Sequence, residues 1–453
     1  MNAPSSQHRA PANRPFAPSR VALGVLLALG AATGAQAQSL VELYEAARGY
    51  DASFLSARSQ VDATLARAEQ AKAGLRPQAG LAAAANWSRR DSSAAPLDNA
   101  SFNSQNVTLS ASQPLIRPVN QIASEQGQLA IDIARAQLQA AEQDLIVRTT
   151  QAYFDVLAAQ DTLTFVKAQK TAVSEQLAAA KRNFEVGTTT VTDSREAQAR
   201  FDLVAAQEIA AENDLRVKKL ALDQLVGKAN VEPKPLAVPV ALPALVPADP
   251  QAWVAQAETG HPAVQQATKG LEIAQLETRK AQAGHKPTLD LVGQYQIARA
   301  PVSGFANNVR NNTATVGVQF NMPLYTGGAL QNRVKETLAL EEKAHTDLQA
   351  AQRGVSQATR SAYFGVLSGQ GQVKALEAAE ASSQSALDAN KLGYQVGVRI
   401  NIDVLNAQSQ LFQTKRDLAA ARYNVLIGGL RLKQASGQLK AEDLQPVNAL
   451  LVR

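Results

Sequence analysis

The chain switches between two hydrophobic periods. From Thr288 to Ile297, Leu289, Leu291, Tyr295 and Ile297 fall on one face, and Thr288, Asp290, Gln294 and Gln296 on the other. From Thr315 to Met322, Val316, Val318, Phe320 and Met322 oppose Thr315, Gly317, Gln319 and Asn321. A period of two with one apolar and one polar face predicts strands, here over about 288–299 and 313–323. Leu81, Ala83, Ala85 and Trp87, then Val107, Leu109 and Ala111, carry a weaker version and predict strands over about 79–89 and 105–114. Most of the remaining chain has Ala, Leu, Ile and Val at spacings of three and four, the helical period.

The helical stretches are of two kinds. Opening helices are expected over about Leu40 to Ala73 and Pro250 to Ala283, each stopped by a glycine and then a proline (Gly74 and Pro77, Gly284 and Pro287). Between Asn120 and Val186 only an isolated Gly127 interrupts the pattern, and a counterpart runs from about Leu330 to Val396. At 1.5 Å per residue each is a rod of about 100 Å, far beyond an ordinary globular helix. Such a rod is a coiled coil or the wall of a tube.

These elements occur twice. Gln151-Ala-Tyr-Phe-Asp-Val-Leu157 recurs as Ser361-Ala-Tyr-Phe-Gly-Val-Leu367, a displacement of 210. The same displacement takes Ala73-Gly-Leu-Arg-Pro77 to Ala283-Gly-His-Lys-Pro287, Val186-Gly187 to Val396-Gly397, Asp193 to Asp403 and Gly227 to Gly437. One offset held over that span identifies a duplicated helix, strand, strand, long helix, helix unit. The repeats are expected at 38–227 and 251–437. A connector at 228–250, whose prolines forbid a regular helix, joins them, and a tail follows at 438–453.

Taken alone, the strands fit either a soluble hairpin lying on a core or membrane strands with lipid on one side and water on the other. The rods favour the second. Four strands cannot close a barrel, for which about eight is the smallest natural size, so several chains must contribute.

Composition narrows the partners. Aromatics make up 5% and charged residues 19%, with abundant alanine, which suits long helices packed through small side chains. The formal net charge is +6, but no basic stripe interleaved with aromatics is present, so no nucleic-acid partner is expected. Arg9, Arg14 and Arg20, the apolar run Val21 to Ala32 and the small-x-small site Ala35-Gln36-Ala37 predict a secretory signal over 1–37. No later apolar run is long enough for a membrane helix. There is no cysteine, hence no disulfide, thiolate metal site or cysteine-borne lipid anchor.

The order of elements, the duplication, the Ala-Tyr-Phe-x-Val-Leu segments, the paired tips Phe184-Glu-Val-Gly187 and Tyr394-Gln-Val-Gly397, Gly284-His-Lys-Pro-Thr-Leu-Asp-Leu291 and Ala421-Arg-Tyr-Asn424 resemble the TolC family of outer-membrane export proteins. The likeness runs from about Ser39 to Val447. It implies a mixed, mainly α homotrimer, in which four strands per chain form a 12-stranded β-barrel in outer-membrane lipid, continued by a periplasmic α-helical barrel. The connector and tail would form a belt around the middle. The function implied is a passive tunnel for type I protein secretion or multidrug efflux. A periplasmic adaptor and an inner-membrane ABC or RND transporter would open it at the tip.

The resemblance also implies roles at the tip. Tyr394 and Arg399 would reach towards Asp193 and Thr192 as gate links, Asp403 and Asn406 would line the constriction, and Val186, Gly187, Val396 and Gly397 would meet the adaptor. Read locally, Asp193 with Glu196 is an acceptable helix-capping pair, Asp403 could cap the other returning helix, and either glycine is a plain helix stop. Where the family has a second aspartate three residues after Asp403, this chain has Asn406, so a weaker cation block is expected.

Three rival classes are disfavoured. An enzyme is not expected: His8, His261, His285 and His345 are far apart, and no metalloprotease, serine-hydrolase or phosphate-loop motif occurs, so no cofactor or metal is expected either. A trimeric surface fibre or adhesin explains long helices but not a strand pair inside each of two equal halves. A diffusion porin requires many strands and little helix.

Overall fold

The computed structural model describes residues 37–90, 100–237, 239–301 and 308–452. Nearly all of the expected signal segment, 1–36, lies outside them. The first repeat comprises α1 (Leu40–Tyr50), α2 (Ala52–Ala73), β1 (Gln78–Arg90), β2 (Ala100–Ile116), α3 (Pro118–Glu185) and α4 (Val191–Val226). The second comprises α5 (Pro250–Gly260), α6 (Pro262–Ala283), β3 (Thr288–Pro301), β4 (Asn308–Asn321), α7 (Ala329–Gln395) and α8 (Asn401–Ala435). A 3-10 turn and a short α9 (Leu444–Asn448) close the chain.

Each opening helix, expected to be continuous, is broken once. At Asp51 the backbone turns extended (φ −61°, ψ 118°), and its carboxylate accepts from the Phe54 amide at 2.8 Å, capping α2. Arg148 of α3 donates to both oxygens of the same carboxylate, at 3.0 and 3.1 Å, which holds it well below the usual carboxylate range. At the equivalent place His261 is extended, its Nδ1 accepts from the Ala263 amide at 3.1 Å, and Pro262 starts α6. Before each break the short helix packs on a long one, α1 on α3 and α5 on α7.

α3, 68 residues long, packs against α2, α4, α6 and α8, whereas α7 packs against α5, α6 and α8. The repeated aromatic segments mark the difference between the two. Phe154 is 1% exposed and stacks on Tyr423 of α8, with ring centroids 5.3 Å apart. Its counterpart Phe364 is 54% exposed, and Leu338, Leu340 and Leu367 on α7 are uncovered with it. The flank that α8 covers on the first long helix is bare on the second.

The main core gathers at mid-height, where Leu40, Tyr44, Tyr153, Phe154, Leu222, Leu444 and Leu451 are buried together. The connector and tail pair here: the Ala237 amide donates to Leu450 O at 2.8 Å and the Val452 amide to Pro235 O at 2.9 Å. The two repeated tyrosines clasp the connector's ends. Tyr153 donates to Lys234 O at 2.8 Å and Tyr363 to Ala248 O.

β1 to β4 form one antiparallel sheet in chain order. Among the described residues β1 and β4 each have no outer neighbour, which leaves two edges with open ladder groups. At the sheet's base Arg117 makes a two-pronged bond to Asp290, with contacts of 2.9 and 2.6 Å, tying the start of α3 to β3.

Candidate functional site

Two regions carry function: the sheet and the hairpin ends. Strand pairing aligns the alternation across all four strands. Leu81 pairs with Leu109, Leu109 with Tyr295 and Tyr295 with Ala314; Leu289 faces Phe320 and Leu291 faces Val318. All these residues share one face, on which Leu81, Trp87, Leu109, Val316, Val318 and Phe320 are exposed. The opposite face carries Ser110, Gln294 and Thr315 in one row and Thr108, Gln296 and Thr313 in the next. An exposed apolar face backed by a face of amides and hydroxyls has the two-sided pattern of strands set between lipid and water. Among the described residues no helix is long and apolar enough to cross a membrane.

At the far end, α3–α4 and α7–α8 turn back through matching caps. Gly187 and Gly397 adopt left-handed φ of 78° and 82°. The Thr188 amide bonds back to Asn183 O and the Val398 amide to Gly393 O, both at 2.9 Å, which satisfies helix-end carbonyls. Val186 and Val396 are 73% and 64% exposed, and Phe184, Val191, Leu392, Val398 and Ile400 stand out with them. Small apolar knobs thus cluster at both turns.

The expected tip residues find partners within the chain, some adjacent and some on the other repeat. Asp193 belongs to a capping box, but as its third residue rather than as the cap: Thr190 is the N-cap, and the Thr190 amide donates to the Asp193 carboxylate at 3.2 Å. A threonine one turn upstream outcompetes Asp193, and Glu196 lies beyond reach of the cap. Asp403 does not cap α8 either. Ile400 holds that position without a side-chain bond, and Asp403 sits in the first turn with Arg399 Nη1 at 3.7 Å. Tyr394 Oη accepts from Asn183 Nδ2 at 3.3 Å, and Asn406 accepts from Arg200 Nη2 at 2.9 Å. Within one chain Tyr394 is therefore brought to Asn183 and Arg399 to Asp403, while Thr192 is exposed.

Sequence reasoning missed the links that fasten the second hairpin to the first. Asn401, 1% exposed, accepts from Gln176 on α3 and donates to Asp193 O at 3.5 Å. Gln169 Nε2 approaches Ser409 Oγ at 3.5 Å, and Tyr423 donates to Asp161 at 2.6 Å. The signal was present in the stripe Asn401, Leu405, Gln408 and Leu411, which repeats at helical spacing with amides among its apolar members. Asp161 is pushed up by burial, partly offset by the tyrosine hydroxyl, and the same burial raises Tyr423.

A sheet of that two-sided pattern set on rods of about 100 Å that end in polar-latched hairpins has the build of an outer-membrane tunnel protein. The chain belongs to the outer membrane efflux protein family, whose model matches residues 28–228 and 253–438. It is 33% identical over 430 residues to the outer membrane protein TolC of Vibrio cholerae, covering 94% of this chain and 97% of that one. It is 28% identical over 438 residues to the proteases secretion protein PrtF of Dickeya chrysanthemi, covering 95% and 94%. Its fold matches the CmeC outer membrane channel of Campylobacter jejuni with a TM-score of 0.76 at 15% identity, over 98% of each chain. The protein is an outer-membrane channel component of the secretion and efflux class.

Proposed function

We propose that three copies close the sheet into a 12-stranded barrel, and that their helices continue it as a tunnel through the periplasm. The observation that carries this reading is the sheet itself, with one apolar face in register over four strands and two unpaired edges. Pairing β4 of one copy with β1 of the next satisfies both edges and leaves amides and hydroxyls lining water. The bare flank of α7, with Phe364 and Leu367, supports the same closure, since the next copy would supply the cover that α8 gives to α3.

In this reading the repeats at 38–227 and 251–437 alternate around the ring, and the connector and tail form the belt. The tip is closed at rest, with Tyr394 and Arg399 as the movable links to Asp193 and Thr192 across hairpins, and Asp403 and Asn406 at the constriction. The exposed tips around Val186–Gly187 and Val396–Gly397 suit a periplasmic adaptor, which would couple the tunnel to an inner-membrane ABC or RND transporter. Energy comes from that transporter.

Single-channel conductance of the purified protein in a planar bilayer tests this reading. Small, steady currents are expected, rising when Tyr394→Phe is combined with Arg399→Ser. Well-folded trimers that pass no current would overturn it in favour of a surface fibre. Unchanged conductance in the double variant would sink the gate links alone.

A further inference from the structure

The apolar face of the sheet ends in a pair of arginines. Climbing β3 and β4 from the helical end, the paired positions on that face are Leu289–Phe320, Leu291–Val318, Gly293–Val316, Tyr295–Ala314, Ile297–Asn312 and then Arg299–Arg310. Both arginines are exposed. Two cations directly opposite on one face of an antiparallel pair repel each other, an arrangement that costs stability unless something anionic lies between them. Among the described residues no carboxylate pairs with either; Arg310 Nε donates only to the Asn312 amide oxygen, at 3.3 Å, and the residue across from Arg299 on β2 is Gln105.

The height of this pair decides what could lie between them. From Leu289 to Arg299 is ten residues, about 34 Å along a strand. Tilted by about 40°, as barrel strands are, that is about 26 Å along the membrane normal, against an apolar band of about 25 Å. The guanidinium groups therefore emerge where the hydrocarbon ends and the headgroups begin, on the side away from the helices. They are planar, forked donors suited to phosphate oxygens.

We infer that Arg299 and Arg310 form a binding site for a phosphate-bearing headgroup of the outer leaflet, a bisphosphorylated glycolipid, on the lipid-facing wall of each subunit. The inference rests on the barrel reading above. The site anchors the channel's outer rim by charge, and its ligand relieves the repulsion between the two arginines.

The test uses the full-length protein in detergent, incubated with bisphosphorylated lipid A or with the same lipid after phosphate removal. Lipid retained per chain is read by mass spectrometry and the melting midpoint is followed alongside. The phosphorylated lipid is expected to bind at least about tenfold more tightly, given about a fivefold gain per basic residue beside an anionic headgroup. R299Q/R310Q removes that preference and R299K/R310K keeps most of it. Should the double variant fail to assemble, R299Q alone is expected to lose about fivefold. A wild type blind to the phosphates, or an assembled glutamine variant that binds like wild type, would overturn the site. Bilayer conductance separates the two ideas: intact currents with unchanged lipid preference sink only this inference, whereas no current from the wild type sinks the barrel reading beneath it.

Discussion

The bond between Tyr423 and Asp161 offers a quantitative test of how the two halves are fastened. Tyr423 is 6% exposed, stacks on Phe154 and donates to Asp161 at 2.6 Å across the α3–α8 seam. Tyr423→Phe keeps the ring and its stacking and removes only the hydroxyl. A hydrogen bond to an ionised partner contributes about 1.5–3 kcal/mol, and its loss leaves a half-buried carboxylate short of a donor. For a chain of this size that is a fall in melting midpoint of about 2–3 °C.

The pH dependence carries the sign. Burial raises the Asp161 pKa in the folded state, so the stability associated with its neutral form is fully present below the unfolded value of about 3.9 and is lost as pH rises through the folded value. The tyrosine hydroxyl opposes that rise, so removing it lifts the folded pKa further and enlarges the loss at neutral pH. The deficit of Tyr423→Phe is therefore expected to be large at pH 7.5 and to shrink towards about pH 3, below the unfolded value, where Asp161 is largely neutral in both states. Melting curves at both pH values, repeated in an Asp161→Asn background, check this. In that background the same change should cost only about 0.5–1.5 kcal/mol. Equal costs in the two backgrounds, or a deficit that grows in acid, would refute the reasoning.

Asp51→Ala removes the α2 cap and strands Arg148, which keeps only Asp144 at 2.6 Å; a loss of about 2–3 kcal/mol is expected. Because Arg148 depresses the Asp51 pKa, the deficit should persist from neutral pH to about 4 and narrow only below it, as an acid titration of both proteins would record. Gly437→Ala would put a methyl 2.5 Å from His261 Cα at a φ of 75°, whereas Gly397→Ala meets nothing within 4 Å. Chemical denaturation should show the first losing more than about 3 kcal/mol and the second about 1, the left-handed strain alone. With Asp403 beside Arg399 and Asn406 held by Arg200, millimolar divalent cations should block conductance only weakly, and Asp403→Asn should remove the remainder; strong block in that variant would contradict this placement.

Much of the fold was legible because periods two and 3.6 do not imitate each other. β3 and β4, expected over about 288–299 and 313–323, run Thr288–Pro301 and Asn308–Asn321. β2 extends further than its alternation, from Ala100 to Ile116, because Ala100 to Asn103 are held by pairing with β1 rather than by an apolar face. The break at Asp51 was marked by Gly49 and by Asp51 itself, a capping residue, but the helical period runs on across it, and its second partner, Arg148, lies on another helix. The break at His261 was marked by Gly260 and Pro262, yet the helical period runs on across it. Tip chemistry was the least legible part. Thr190, Thr192 and Asp193 are all plausible caps in sequence, and only backbone geometry selects Thr190. The partners of Tyr394, Asn401 and Asn406 sit on the other repeat, about two hundred residues away, where no local pattern can point.

Tyr153, which clasps the connector, falls almost midway along α3, about 50 Å from either end. A long stiff rod held at its centre is a balanced lever. A rotation of about 6° at that fulcrum would carry each end through about 5 Å, and the end tied to β3 by the Arg117–Asp290 bond would pass that motion on to the sheet. If three copies close as proposed, widening of the tunnel mouth demands angular play at mid-height more than flexibility in the helix itself, so cross-linking Ala237 to Leu450, which pair there, should clamp the mouth from a distance of half the molecule.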